Sequence, residues 1–317
     1  MSTAAREIKP DAPFVVIMNV GSGHDDADET REAVERRLTA AGRGHRIAAI
    51  TSGSDVGAVA AEAVAEARAQ DGIVVVAGGD GTINAVCNAV YGSGCPLGVL
   101  PQGTFNFFAR THGIPLELEH ALDVLLTARA HPIQAGLVND RLFLVNASLG
   151  LYPQILEDRE GFKQRFGRRR WVAILSGLST VVQHRRPLTL AIEHEGIVRE
   201  VRTPTLFVGN NRLQLESVGI AEAAAVDRDR LVAVVLRPVG LGELVWLGLR
   251  GAVGTLGEAE DVLSFAFDRI AVRPRRTGSR VKVAVDGEIL WLTPPIELKV
   301  AAEPLHLLKP ERVPATE

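Results

Sequence analysis

Ile73-Val74-Val75-Val76-Ala77-Gly78-Gly79-Asp80-Gly81-Thr82-Ile83-Asn84 runs from an unbroken β-branched stretch, through a glycine-bearing turn, into an amphipathic segment reaching Tyr91. A strand that reads as a continuous Val/Ile run has both faces covered, which marks a parallel sheet flanked by helices. The same rhythm lies to either side. Phe14–Asn19, Arg46–Ile50 and Leu97–Leu100 read as strands, and Asp28–Ala41 and Ser54–Gln70 as Ala-rich helices between them. From Pro13 to about Leu100 the order is therefore βαβαβαβ, which predicts right-handed crossovers and a ligand edge at the carboxyl ends of the strands.

Beyond a helix near Glu119–Ala130, the pattern changes at His131-Pro132 to short alternating segments. Arg141–Ala147, Leu188–His194, Thr205–Gly209, Leu231–Leu236, Ile270–Arg273, Val281–Val285 and Ile296–Val300 read as antiparallel strands. Trp171–Val182 and Gly240–Leu256 interrupt them as helices with one apolar face. The fold class is α/β: an N-terminal parallel-sheet domain over 1–133, then a β-rich domain over 134–317 whose last segment is expected to pack back on the first.

A chain of 317 residues suits two such domains. With 38 acids against 35 Lys+Arg its net charge is -3, which argues against a general nucleic-acid binder, so no nucleic-acid partner is expected. A hydrophobic fraction of 46% excludes wholesale disorder. Cys87 and Cys95 have neither CxxC spacing nor a His pair beside them, so a reducing compartment is expected. No signal-peptide core and no run of about 18 apolar residues occurs, which predicts a cytoplasmic protein that meets membrane only peripherally.

Three of the first four strands run into glycine-bearing loops: Asn19-Val20-Gly21-Ser22-Gly23, Gly78-Gly79-Asp80-Gly81-Thr82 and Pro101-Gln102-Gly103-Thr104-Phe105-Asn106. In a parallel sheet all three emerge on one edge. Glycine lets backbone amides surround phosphate oxygens, and the helix starting near Thr82 adds its dipole. Any one such turn is as readily explained by glycine's tolerance of positive φ in strand-to-helix turns; the convergence of three points to nucleotide phosphates. Neither a Walker GxxxxGK[ST] nor a Rossmann GxGxxG is present. Asp80 stands out, because a carboxylate among phosphate-binding amides repels the anion unless Mg²⁺ or a donor network intervenes; the plainer reading is a helix cap.

The Gly78–Asn84 turn, followed by Leu97-Gly98-Val99-Leu100-Pro101-Gln102-Gly103-Thr104-Phe105-Asn106-Phe107-Phe108-Ala109-Arg110, resembles the catalytic domain of diacylglycerol kinases and related lipid kinases, including sphingosine kinases. The resemblance continues through Asn146–Pro153, Val208–Asn211 and Val285-Asp286-Gly287-Glu288. It implies a nucleotide-binding α/β domain, a C-terminal β-sandwich and an active site in the cleft between them. It also implies ATP contacts from Asn19, Val20, Gly21, Ser22, Gly23, Thr51, Gly78, Gly79, Asp80, Gly81, Thr82, Ile83, Asn84, Gly103, Thr104 and Asn106. The Asp-Gly-Glu motif supplies the family's base, leaving Asp286 and Glu288 as candidates that sequence does not separate, with Asp80 as a further catalytic candidate. From the residues themselves, phosphoryl transfer to an alcohol needs such a carboxylate. Asp-Gly between alternating Val281–Val285 and Ile289–Leu292 is equally a type I′ hairpin signal.

The chain also departs from the family pattern. Phe107 stands where many relatives carry Asp after Asn106, Gln134 replaces a boundary Asp, and Asp227-Arg228-Asp229-Arg230 replaces an Asp-Gly turn. Asp227 and Asp229 are weak metal candidates; Mg²⁺ can instead arrive on ATP, whose phosphates supply most ligands. Arg159–Trp171, with six basic residues and three aromatics, reads as a patch for an anionic membrane, or else as a solvated helix end. His112, His120 and His184 read as surface residues. The expected function is ATP-dependent phosphorylation of a lipid hydroxyl, diacylglycerol first, at a membrane surface, with room for a homodimer. The alternatives are a kinase of a soluble substrate, as in NAD kinases, and a non-catalytic nucleotide or lipid sensor.

Overall fold

The structure, a computed structural model, describes residues 7–20, 24–51, 53–150, 187–275 and 280–311. The chain divides into two compact units, one of Met1–Ala135 with Ala301–Glu317 and one of Gly136–Val300. Arg159–Trp171, the Trp171–Val182 helix, His184 and the Gly21–Gly23 part of the first loop lie outside the described residues.

The first unit contains strands β1 (Phe14–Asn19), β2 (His45–Ile50), β3 (Ile73–Gly78), β4 (Pro96–Pro101) and β5 (Arg129–Ile133). Its helices are α1 (His24–Ala40), α2 (Val56–Ala69), α3 (Asp80–Val90), α4 (Phe107–Thr111) and α5 (Leu118–Thr127). The chain's last strand, β18 (Leu305–Lys309), completes one sheet in the order β2-β1-β3-β4-β18-β5. β2, β1, β3, β4 and β18 run parallel, and only β5 is antiparallel to its neighbour. Every residue of β3 is buried, as the unbroken IVVVAG run requires of a strand covered on both faces. One face packs Phe14, Val16, Met18, Val75 and Leu100 against Val34 and Leu38 of α1 and Leu122 and Leu125 of α5. Asp55 caps α2, its carboxylate accepting from the Gly57 and Ala58 amides at 2.9 and 3.2 Å.

β5 occupies residues that read as a helix end and a boundary. Pro132 lies inside it without disrupting the sheet because β5 is an edge strand, paired only with β18. That pairing also explains how β18 is held: Leu307 and Leu308 are 0% and 1% exposed, although they arrive after the whole second unit has been traversed.

The second unit contains β6 (Gly136–Val138), β7 (Arg141–Phe143), β8 (Asn146–Gly150), β9 (Leu188–His194), β10 (Ile197–Thr203), β11 (Thr205–Gly209) and β12 (Leu231–Leu236). It continues with β13 (Val262–Phe267), β14 (Arg269–Pro274), β15 (Val281–Val285), β16 (Glu288–Leu292) and β17 (Ile296–Val300), and carries helices α6 (Arg212–Ser217) and α7 (Leu241–Ala252). Two sheets result, β10-β9-β14-β17-β6-β7 and β13-β12-β11-β8-β15-β16, with antiparallel pairing in both. Leu190, Ile192, Ile270, Val272, Ile296 and Leu298 of one share a core with Leu206, Val208, Leu231, Ala233, Phe267 and Val283 of the other, which makes a β-sandwich. β12 is buried on both faces because Val232 and Val234 pack outward under Leu215 of α6 and Leu247 of α7. The expected strand Arg141–Ala147 is two strands, broken at Leu144-Val145, for a reason given below. β10 and β13 are strands that the sequence pattern left out; each lies at a sheet edge, where only one side is paired.

Leu308 lies in the first unit's core. Leu308→Ala is therefore expected to lower stability by about 2–5 kcal/mol in urea denaturation, the range for a leucine deleted from a packed core.

Candidate active site

In the first unit, β1 is flanked by β3 on one side and β2 on the other, so the order of connection reverses between β1 and β3. Ligands of open α/β sheets sit at such a switch point, beyond the carboxyl ends of the strands. The candidate loops gather there. The Val20 amide donates to the Ile50 carbonyl at 3.0 Å and the Gln102 amide to the Gly78 carbonyl at 2.9 Å, extending the strand pairings into the loops. Asn19 Nδ2 donates to Thr82 Oγ1 at 3.3 Å, across the switch point itself.

Gly79 precedes α3 with φ −86 and ψ 175, so positive φ is not what demands glycine there. Close approach is. A Cβ on Gly103 would stand 2.9 Å from the Gly79 Cα, and one on Gly79 would stand 3.2 Å from the Gly103 Cα. The two loops cross backbone to backbone, a passage that no side chain fits. Gly81 differs, since a Cβ there would meet nothing within 4 Å. Among the described residues nothing occupies the space beside Gly81, and the residue at the N-cap of α3, Gly79, supplies no side chain to cap its amides.

Asp80 fastens the crossing. Its carboxylate accepts from the Phe107 amide at 3.3 Å and the Phe108 amide at 3.2 Å, capping α4 from another loop. The donor network expected around this carboxylate is therefore the start of α4. Asn106, buried and left-handed at φ 50, closes a ring on Gly103: its Oδ1 accepts from the Gly103 amide and its Nδ2 donates to the Gly103 carbonyl, both at 2.8 Å. Thr104 is exposed beside it. Thr51 is also exposed, with its hydroxyl 3.0 Å from Ser54 Oγ. Ile83 is fully buried, and Asn84 is 7% exposed with its carbonyl and Oδ1 accepting from Asn88, so these two side chains face inward rather than toward the edge. Phe107, in the position expected of an acid, stacks on Phe105 with ring centroids 5.6 Å apart.

His112 was expected at the surface and is instead partly buried, its ring edge-on to Phe108 at 4.7 Å. Burial first, and the Lys309 charge second, push its pKa down to about 3, so the ring is neutral at ordinary pH. His120 is exposed, as expected, 3.0 Å from a Glu117 carboxylate oxygen.

In the second unit, Asp286 and Gly287 form the two-residue loop of the β15–β16 hairpin with φ 45 and 90, the double positive φ of a type I′ turn. Asp286 does more than turn the chain. Its carboxylate accepts from the Leu144, Val145 and Asn146 amides at 2.7, 2.9 and 2.8 Å, and its own amide donates to the Asn146 carbonyl at 2.9 Å. The break between β7 and β8 follows, because those amides bond a carboxylate instead of a neighbouring strand. Asp286 thus ties the hairpin to the Leu144–Asn146 segment, a structural role beside the catalytic one that the motif implied. Glu288 is exposed, and among the described residues its carboxylate has no hydrogen bond or ion pair.

Sequence reading quoted Asn146 and Asn210-Asn211 without giving them a role. Asn210 Nδ2 donates to the Leu144 carbonyl at 2.9 Å, Asn146 Nδ2 to Gln214 Oε1 at 3.1 Å, and Asn211 caps α6 through the Gln214 amide at 2.9 Å. Three asparagines, each under 7% exposed, brace the segment that Asp286 holds. The signal was their polarity at the ends of apolar strands.

Among the described residues no cluster of three or more His, Cys, Asp or Glu could hold a metal. Asp80 spends its oxygens on amides, Phe107 offers no carboxylate, and Asp227 pairs with Arg212. Asp229 ends a 3₁₀ helix in the left-handed conformation at φ 56. The donor set does not fit a protein-built Mg²⁺ cage.

Comparison with known proteins bears on both units. Residues 13–138 match the family model "Diacylglycerol kinase catalytic domain". The chain is 28% identical over 291 residues to a diacylglycerol kinase of Bacillus subtilis (strain 168), covering 88% of this chain and 90% of that one. An uncharacterised protein of Synechocystis is 27% identical over 253 residues, 76% of this chain, which spans only 55% of that longer protein. A solved structure of a diacylglycerol kinase from Bacillus anthracis superposes with a TM-score of 0.67 at 18% identity, covering 94% of this chain and 97% of that one. A second structure from that organism gives 0.70 at 21% identity. At these identities the structures establish a shared fold, the parallel-sheet unit followed by antiparallel sheets.

The two carboxylates of the Asp-Gly-Glu turn should separate in stability. Asp286→Asn leaves at least one buried amide without its acceptor and is expected to cost about 2–3 kcal/mol in urea unfolding, whereas Glu288→Gln stays within about 0.5 kcal/mol of the parent.

Proposed function

Because residues 13–138 match the family model of the diacylglycerol kinase catalytic domain, we propose that the protein is an ATP-dependent lipid kinase. It transfers the γ-phosphoryl group to the hydroxyl of diacylglycerol or a related lipid alcohol. One observation carries the nucleotide half of this reading: the glycine turns at Gly79 and Gly103 cross over β3 and β4, next to the switch point, and among the described residues nothing stands within 4 Å of a Cβ placed on Gly81.

In this reading the ATP phosphates lie against the amides that begin α3, where the helix dipole favours negative charge. Asn19, Thr51, Thr82 and Thr104 supply polar side chains around that space. Asp80 acts at one remove, locking the two turns together so that their amides are aimed before the nucleotide arrives. Since the described residues offer no metal cage, any Mg²⁺ would arrive bound to ATP, where it would offset phosphate charge. Of the two Asp-Gly-Glu carboxylates, Glu288 is assigned the base, since Asp286 is engaged by three amides. As the lipid oxygen bonds to the γ-phosphorus and the bond to the bridging oxygen of ADP breaks, the hydroxyl proton passes to Glu288. The acceptor resides in a membrane, and no described helix is long and apolar enough to cross one, so the reading includes association at the surface.

Two measurements test these assignments. Gly81→Val adds a side chain that meets nothing among the described residues, so the variant should melt like the parent while calorimetry finds its ATP affinity reduced at least tenfold; unchanged affinity would remove the phosphates from this edge. With labelled ATP and a total lipid extract, the wild type should yield a phosphorylated lipid and Glu288→Gln should lose about 10²–10⁴-fold in kcat. A wild type that binds ATP yet phosphorylates no lipid would favour a sensor, the reading to which Phe107 in place of an acid lends some weight.

A further inference from the structure

Phe105 and Phe107 are 56% and 39% exposed, yet neither belongs to a loose loop. The backbone between them is pinned by the Asn106–Gly103 ring, and the Phe107 amide is held by Asp80. The two rings stack nearly parallel, at 11°. The result is a fixed apolar plate on the loop that crosses Gly79. Arg110 lies one turn further on, exposed, with its Nε donating to the Phe105 carbonyl at 3.1 Å. Among the described residues its guanidinium has no acidic partner.

Two exposed rings beside a tethered, exposed guanidinium have the chemistry of a bilayer interface. Aromatic rings favour the boundary between headgroups and acyl chains, and arginine pairs with lipid phosphate through its fork of donors. We propose that the Phe105–Phe107 plate inserts into a phospholipid bilayer, with Arg110 on the headgroup phosphates, and so sets the phosphate edge of the first unit at the membrane surface. The proposal rests on the lipid-kinase reading for its choice of a bilayer as partner. It adds a surface that the motifs leave unassigned, built on the residue where this chain departs from the expected acid.

The test uses the full-length protein and phosphatidylcholine–phosphatidylglycerol vesicles free of diacylglycerol, so that binding is read without turnover. The double variant Phe105→Ser/Phe107→Ser should melt near the parent temperature and partition onto vesicles about tenfold or more weakly. Arg110→Gln should weaken partition about fivefold on vesicles containing phosphatidylglycerol, and less on phosphatidylcholine alone, whose phosphate carries a compensating choline. Phe107→Trp should retain binding, and its added indole fluorescence should shift to the blue with vesicles and be quenched by brominated phosphatidylcholine. Parent-like partition of the double variant, or an indole that lipid bromine does not quench, overturns the proposal. So does a double variant that changes only the oligomeric state in sedimentation velocity, which would make the plate a contact between two copies. Absence of lipid phosphorylation by a wild type that inserts would refute the kinase reading and leave the insertion standing.

Discussion

The backbone passage of Gly79 past Gly103 is the constraint on which the first unit's site depends. Two strand-to-helix turns share the space over β3 and β4, and a Cβ on Gly103 would come within 2.9 Å of the other chain. Once the turns cross, the hydrogen bonds around them follow. Gln102 pairs with Gly78, Asn106 folds onto Gly103, and Asp80 reaches over to the amides that open α4. On the proposed function, that crossing is what would present the backbone amides at the start of α3 to the phosphates, since recognition of an anion by backbone requires a fixed main chain.

The second unit solves a comparable problem with the same device. Asp286, like Asp80, takes consecutive amides from a segment remote in sequence and so joins two loops through one carboxylate. A charged acceptor facing backbone donors makes stronger bonds than neutral pairs do, and it replaces strand pairing where the ladder has been interrupted. The interruption between β7 and β8 and the asparagines bracing it are consequences of that choice. Glu288, two residues along, is exposed and lies outside that network.

Much of this could be read from the residues. The continuous runs of β1 and β3 announced a sheet covered on both faces, and β9, β11, β12, β15 and β17 begin and end where their alternation does. The glycine turns could be placed on one edge because a parallel sheet has only one carboxyl edge. What escaped were features with no local signature. β10 and β13 are edge strands, so half their surroundings are solvent and their pattern is weak; β5 hid behind its proline, which an edge tolerates. His112 looked superficial because, although Phe108 lies only four residues before it, nothing near it in sequence announces its burial or the approach of Lys309.

By itself, the sequence determined the class of each half, the expectation that its glycine loops share one edge, and the short list of carboxylates. These follow from periodicity and backbone stereochemistry, which act over a few residues. Only the tertiary structure decided that β18 fills the gap between β4 and β5, that Gly79 is glycine for closeness and not for φ, and that Asp286 holds amides some 140 positions away while Glu288 does not. Each of those outcomes depends on what a distant segment brings to the spot, and no local preference of the chain encodes an encounter between residues so far apart.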